Sequence, residues 1–255
     1  MTDSVRYDFG EQWDEYAQRA TDDDLAASKH ALSELIPAGF RPEGKTFLDI
    51  GCGSGMHSVA AAKLGFSVTA TDYYEGSVRA TQRMAQRTGV QLNSFQDDIL
   101  NTKLSGTFDV VYSWGVLHHT GNMAAAIDNA KALVVPGGIF IISIYLKTPL
   151  CGFWKVEKRI YTLLPRFVQT GLDYAFRGFA IALKAVDAKA DKERGMDWRV
   201  GVKDWLGGYP YESATPAEVT AMVGDGFSLI GSHHTQSGHG ILGTRCAEYI
   251  FKRNN

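Results

Sequence analysis

Two adjacent imidazoles, His118 and His119, follow the run FDVVYSWGVL, and histidine is the side chain best suited to taking a proton from a reacting group near neutral pH. Far upstream, Gly51, Gly53 and Gly55 in DIGCGSG would let the backbone turn at positive φ and approach a ligand with no Cβ in the way. Asp49, in the apolar run entering that turn, adds a carboxylate that could hold a cationic amine and would repel a pyrophosphate. Asp72 follows the first glycine by roughly 20 residues, where a carboxylate ending the second strand accepts hydrogen bonds from both hydroxyls of a ribose. The chemistry suggested is a nucleoside bound beside a proton acceptor.

These residues need a scaffold, and apolar runs stopped by glycines supply one. Thr46 to Ile50 reads as a buried strand, and Met56 to Leu64 as a helix whose N-terminus points at whatever sits over the glycines. Strands follow at Ser67 to Thr71, Gln91 to Gln96 and Phe108 to Ser113, with a helix from Glu75 to Thr88. Asn122 to Leu133 reads as a helix ended by Pro136, Gly137 and Gly138, and GGIFIISIY as the fifth strand. Ligands of an open parallel sheet gather beyond the carboxyl ends of its strands, which is where His118 and His119 fall. The glycine spacing is G-x-G-x-G, and Met56 occupies the place of the third glycine of a dinucleotide fingerprint, so a pyrophosphate cradle is the weaker reading. Tyr73 or Tyr74 could pack on the base or under the following helix.

LDIGCGSG, the carboxylate at Asp72, the loop Asp98-Ile99, FDVVYSWGVLHH and VPGG before a strand together resemble the class I S-adenosylmethionine (SAM) dependent methyltransferases, in particular small-molecule enzymes of the ubiquinone O-methyltransferase type. The resemblance covers residues 46 to 146 and, loosely, the last helix and hairpin. It implies an α/β fold with a Rossmann-like, doubly wound seven-stranded sheet, closed by an antiparallel hairpin and carrying a helical insertion. It implies SAM as cofactor, with Asp49, Gly51, Cys52, Gly53, Gly55, Asp72, Tyr73, Asp98, Ile99, Ser113 and Trp114 around it. Transfer to an oxygen or nitrogen of a small molecule would use His119, or else His118, as general base. Asp98 fits the family pattern better than its neighbour Asp97.

Outside the core, residues 1 to 45 read as a helical lid, with Phe9, Trp13 and Tyr16 on one face; Asp22 to Asp24 read as the cap of the next helix. Trp13 and Tyr16 could cover the cofactor or simply close a core edge. Residues 147 to 214 read as a helical insertion capping the acceptor. Trp154, Ile160, Leu163, Phe167, Leu172, Phe176, Phe179 and Leu183 recur there at helical spacing, among Lys155, Lys158, Arg159, Arg166 and Arg177. The basic face is expected to be solvated, with an anionic-substrate or lipid site as the alternative. Trp205, Tyr209 and Tyr211 around a Gly-Gly pair could wall the acceptor pocket. Residues 215 to 255 read as a helix capped by Thr215 and Pro216, then strands Phe227 to His233 and Ala247 to Lys252.

Of His233, His234 and His239, His233 is expected to face the acceptor. No metal is assigned, since neighbours on a strand diverge and Asp128 and Asn129 sit mid-helix. A net charge of −2 gives no basic footprint for nucleic acid. Three cysteines with no C-x-x-C pair, behind a polar start, read as reduced thiols of a cytoplasmic protein. The apolar stretch Gly137 to Leu146 is too short to span a bilayer.

Overall fold

The computed structural model describes residues 5–182, 206–234 and 246–255. The chain opens with helices α1 (Gly10–Arg19) and α2 (Asp22–Leu35) and then alternates strand and helix: β1 (Thr46–Ile50), α3 (Met56–Leu64), β2 (Ser67–Asp72), α4 (Glu75–Thr88), β3 (Asn93–Gln96), β4 (Phe108–Trp114), α5 (Met123–Ala132) and β5 (Val134–Tyr145). Helices α6 (Cys151–Leu163) and α7 (Arg166–Ala182) follow, and α8 (Pro216–Val223), β6 (Phe227–His234) and β7 (Cys246–Arg253) complete it.

The strands form one seven-stranded sheet in the order β3-β2-β1-β4-β5-β7-β6. Strands β3 to β5 pair in parallel, whereas β7 runs antiparallel to both β5 and β6. Strand order reverses between β1 and β4, so the first crossovers leave to opposite sides and a crevice opens above their carboxyl ends. This is the doubly wound sheet with a terminal hairpin that the motifs imply.

Strand period divides the core. Phe47, Val110, Ile139 and Ile141 pack under α2, α3 and α4, while Leu48, Val111, Phe140 and Ile142 pack on α5 and α8. One residue of slip would turn each set to the wrong layer, so the alternation fixes the register. Local signals set the helix ends. Thr21, rather than the aspartates alone, caps α2, and Asp24 closes the box by accepting the Thr21 backbone N–H at 2.8 Å. Thr215 and Glu218 form the same box before α8, with Pro216 in the first turn.

Two boundaries differ from the sequence reading by more than one residue. β3 begins at Asn93, not Gln91. Helix α5 ends at Ala132 without help from VPGG, which lies inside β5 as a bulge: Phe108 pairs with Val134 but Val110 pairs with Ile139, and Gly137 takes up the distortion at φ 72°.

Candidate active site

The glycine turn is shaped by what a side chain would strike. A Cβ on Gly51 would lie 2.4 Å from Val116 Cγ2, and one on Gly55 would lie 2.6 Å from the Thr81 backbone. Both glycines have positive φ, 78° and 81°. The first clash joins the turn to the loop after β4, because the Val116 carbonyl accepts the His119 backbone N–H at 2.8 Å. The cradle and the histidines are therefore neighbours.

Two buried carboxylates flank this turn. Ser58 donates to Asp49 at 2.5 Å, and the backbone N–H groups of Gly53 and Tyr74 donate to Asp72 at 3.0 and 2.8 Å. Burial still dominates and pushes Asp49 up to about 7 and Asp72 up to about 6. Both charges are thus desolvated beyond what their hydrogen bonds repay, an arrangement that a cationic ligand would relieve. Between them Cys52 is buried, its thiol pushed well above the usual range by burial and by the same carboxylates. It remains a neutral thiol.

The histidines occupy a short 3-10 turn, Leu117–His119, at the carboxyl end of β4. His118 is fully buried between His119 and Tyr145, with ring centroids 4.4 and 4.0 Å away, and neither of its nitrogens has a hydrogen-bond partner among the described residues. His119 Nδ1 lies 2.8 Å from the Pro210 carbonyl. A carbonyl can only accept, so Nδ1 carries the proton and Nε2 presents the lone pair. That Nε2 is also buried and without a partner among the described residues. Burial first, and the Lys158 charge with it, push His119 down to about 4 and His118 well below its ordinary value. Both imidazoles are neutral at physiological pH.

The N-terminal segment straps this chamber. Arg6 donates to the Thr120 carbonyl at 2.7 Å, Tyr7 N–H to the Tyr209 carbonyl at 2.9 Å, and Tyr74 hydroxyl to the Tyr7 carbonyl at 2.5 Å. Phe9 then stands 5.4 Å from the His119 ring, and Trp13 covers the glycine turn so closely that a Gly53 Cβ would sit 3.2 Å from its indole. From the other side, α6 turns Lys158 inward. Its ammonium lies 5.4 Å from the centre of the Tyr211 ring, and Tyr211 hydroxyl donates to Cys151 Sγ at 3.3 Å. Glu212 accepts the first N–H of α5, from Met123, at 2.8 Å, and its own N–H donates to the His118 carbonyl at 3.0 Å.

Most residues singled out by the sequence meet at this edge of the sheet. Asp49, Gly51, Cys52, Gly53, Gly55 and Asp72 build the cradle; Trp13 lies on it. Tyr16 is buried behind Trp13, facing the core formed by α2 to α4. Tyr73 is half exposed under the Arg6 guanidinium, 4.8 Å away, whereas Tyr74 is bound into the strap. Asp98 caps the turn at Ile99–Asn101 by accepting the Leu100 N–H at 3.0 Å. Asp97 is consumed structurally, accepting from Thr102 at 2.6 Å and from Lys103 N–H at 3.0 Å. Buried Ser113 donates to the Ile50 carbonyl at 3.0 Å, and Trp114 Nε1 donates to Glu248 at 2.8 Å.

Tyr209 and Tyr211 are both buried beside the histidines, and Tyr211 stacks 5.4 Å from Tyr145. His233 is different. It is exposed on β6, the edge strand two places from β5 and so about 10 Å across the sheet from it. Trp205, Leu183 and His239 lie outside the described residues.

Sequence reasoning missed Arg6, Tyr7, Val116, Lys158 and Glu212. A signal for Lys158 existed: Cys151, Trp154, Lys158 and Tyr161 share one helical stripe, which competes with the more apolar stripe Phe153, Val156, Ile160 and Leu163. The inner stripe is the first one. Ile160, Leu163, Phe167 and Leu172, grouped with Trp154 by spacing, are exposed.

The ubiquinone biosynthesis O-methyltransferase of Xanthomonas axonopodis pv. citri is 34% identical over 128 residues, 47% of this chain and 53% of that protein. That of Rickettsia prowazekii is 35% identical over 118 residues, 46% and 47% of the two chains. The chain thus spans about half the length of these curated relatives. Among solved structures, magnesium protoporphyrin IX methyltransferase from Synechocystis PCC 6803 with bound SAH superposes with a TM-score of 0.58 at 20% identity, covering 91% of this chain and 84% of that one. The N-methyltransferase NodS from Bradyrhizobium japonicum gives 0.55 at 16%, covering 97% and 99%. At these identities the superpositions show the fold. The family model described as "Methyltransferase domain" matches residues 15–206, most of the chain, and the protein belongs to that family of methyltransferases.

Proposed function

We propose that this protein transfers a methyl group from SAM to an oxygen of a small-molecule acceptor, with His119 as the proton acceptor. The observation that carries the reading is a cradle with two buried, under-compensated carboxylates lying one residue contact from a pair of neutral, buried imidazoles. The donor set suits the cofactor: Asp49 and Asp72 offer negative charge to a cationic nucleoside, and Gly51, Gly53 and Gly55 leave its path clear. Tyr73, Asp98 and Ile99 would meet the base, and Trp13 would close over the turn. When bound, SAM supplies a methyl on an already activated sulfonium, so the chain need not activate the donor.

What remains for the chain is positioning, exclusion of water and one proton. Tyr7, Phe9, Trp13, Tyr145 and Tyr211 wall the site with rings, keeping water from the attacking oxygen. His119 Nε2 presents a lone pair, its ring fixed by the bond from Nδ1–H to the Pro210 carbonyl. The acceptor hydroxyl would give its proton to that lone pair. Lys158, whose charge reaches both imidazoles, favours an acceptor oxygen that gains negative charge along the way. The relatives named for ubiquinone biosynthesis support an oxygen acceptor.

Incubation with methyl-labelled SAM and a panel of phenols, sugars and amines tests this reading. Label on a phenolic or other hydroxyl oxygen is expected. Label on amines alone would overturn the oxygen assignment, and tight SAM binding without turnover on any acceptor would leave a binding protein in its stead.

A further inference from the structure

The orientation of His119 is set by chain segments remote from it. Its Nδ1–H donates to the Pro210 carbonyl at 2.8 Å across 91 residues, and Glu212 N–H donates to the His118 carbonyl at 3.0 Å. The segment 209–212 and the turn Leu117–His119 are thus zipped together, yet neither belongs to a strand or an α-helix that would hold it in place.

Residues 5–9 span both. Arg6 donates to the Thr120 carbonyl, one residue past His119, at 2.7 Å; Tyr7 N–H donates to the Tyr209 carbonyl, one residue before Pro210, at 2.9 Å. Thr120 and Tyr209 are buried, so both bonds are made out of water, where a lost donor is costly. Phe9 adds its ring 5.4 Å from that of His119.

The Tyr7 ring anchors this strap. A Cβ on Gly207 would lie 2.5 Å from it, so the glycine leaves a socket that the ring fills, beside Tyr161 and Leu206. The Tyr7 carbonyl accepts the Tyr74 hydroxyl at 2.5 Å, and the Tyr74 N–H donates to Asp72 in the cofactor cradle. A Cβ on Gly76 would meet the Gly10 carbonyl carbon at 2.9 Å, so this pair of glycines lets α1 seat on the start of α4 and bring Trp13 over the glycine turn. Holding the histidine and covering the cradle are consecutive tasks of one short segment.

We propose that Arg6 and Tyr7 are positioning residues for His119: by bridging Thr120 to Tyr209 they lock the ring with Nδ1 protonated toward Pro210, and through Tyr74 they tie that lock to an occupied cofactor cradle. A base needs a third group to orient it, and here the strap fixes the carbonyl that does so. The value of the lock for turnover rests on the reading of His119 as proton acceptor. The lock itself is measured without any acceptor.

The test is nitrogen NMR of the full chain labelled in its histidine rings, with and without saturating SAH, the His119 signals being identified by their loss in His119→Gln. In the parent with SAH, the tautomer protonated at Nδ1 should exceed the other by about tenfold or more, and SAH should raise that excess by about fivefold or more. Arg6→Ala and, separately, Gly207→Ala should each cut the excess by about tenfold, the effect of one lost hydrogen bond. Arg6→Lys, which keeps a cationic donor for the Thr120 carbonyl, should restore most of it. Tyr74→Phe should leave the lock but abolish its response to SAH, and by linkage the SAH Kd of that variant should rise by the same factor. Near-UV circular dichroism checks folding; should Gly207→Ala misfold, Arg6→Ala decides. A parent whose tautomer ignores SAH, or a folded Arg6→Ala that keeps the parent's excess, would overturn the proposal. If the strap variants respond as expected while His119→Ala turns over as fast as the parent, the lock stands and the proton-acceptor reading alone falls.

Discussion

Replacing Asp49 by asparagine should make the cofactor-free protein more stable above neutral pH while weakening its hold on SAM. Asp49 is raised from 3.8 to about 7, mainly by burial. A carboxyl whose folded pKa is raised favours the fold fully below its unfolded pKa and loses that contribution as pH climbs through the folded one. The window is therefore pH 4 to 7, and at about 1.4 kcal/mol per pH unit the wild-type protein forfeits up to about 4 kcal/mol across it. Asparagine does not titrate, keeps the shape and still accepts the Ser58 hydroxyl. Its advantage should grow by about 2–4 kcal/mol between pH 4 and pH 8 and level off above, a Tm gap widening by about 5–10 °C for a chain of this size. Thermal melts at several pH values, with and without SAM, measure it. Calorimetry at pH 8 should show SAM binding weakened by about 100-fold, the loss of a charged partner in a dry site. In the wild type, affinity for SAM should decline as pH falls below about 7, because the proton competes with the cation. A Tm gap that stays constant with pH, or a variant less stable at pH 8 than at pH 4 relative to wild type, would refute the claim that this carboxylate is under-compensated.

His119→Ala should lower kcat by about 100-fold with the SAM Kd little changed, and the acid limb contributed by His119 in the wild type should lie near its value of about 4, not near 6.5. Calorimetry and a pH–rate profile check both. Lys158→Met should raise the acceptor KM and move that acid limb upward, since the lysine charge holds both imidazoles down; an unmoved limb would show that its charge does not reach them. Gly51→Ala should abolish SAM binding, because the new Cβ meets Val116 at 2.4 Å with φ at 78°, and adding Val116→Ala should restore only part of it by removing the clash and not the backbone strain.

Residues close in sequence made much of this molecule legible. The glycine turn, the alternation of Phe47 with Leu48 and Ile139 with Phe140, and the cap at Thr215 depend on neighbours a few positions away, so spacing alone exposes them, although at α2 it pointed to Asp22 to Asp24 where Thr21 is the cap. VPGG misled because a bulge and a turn use the same glycines, and only pairing with β4 distinguishes them. The same local logic could not tell which stripe of α6 is buried.

From the sequence alone came the order of strands and helices, the cradle with its two carboxylates, and the histidines beyond β4, all dictated by period, turn chemistry and the direction of a parallel sheet. Only the folded chain decided that Lys158 points inward while the more apolar stripe stays out, that Arg6 and Tyr7 strap the site from more than a hundred residues away, and that His233 stands apart at the sheet edge. Those outcomes depend on which distant surfaces meet, and a free energy set by long-range contact leaves no mark in local spacing.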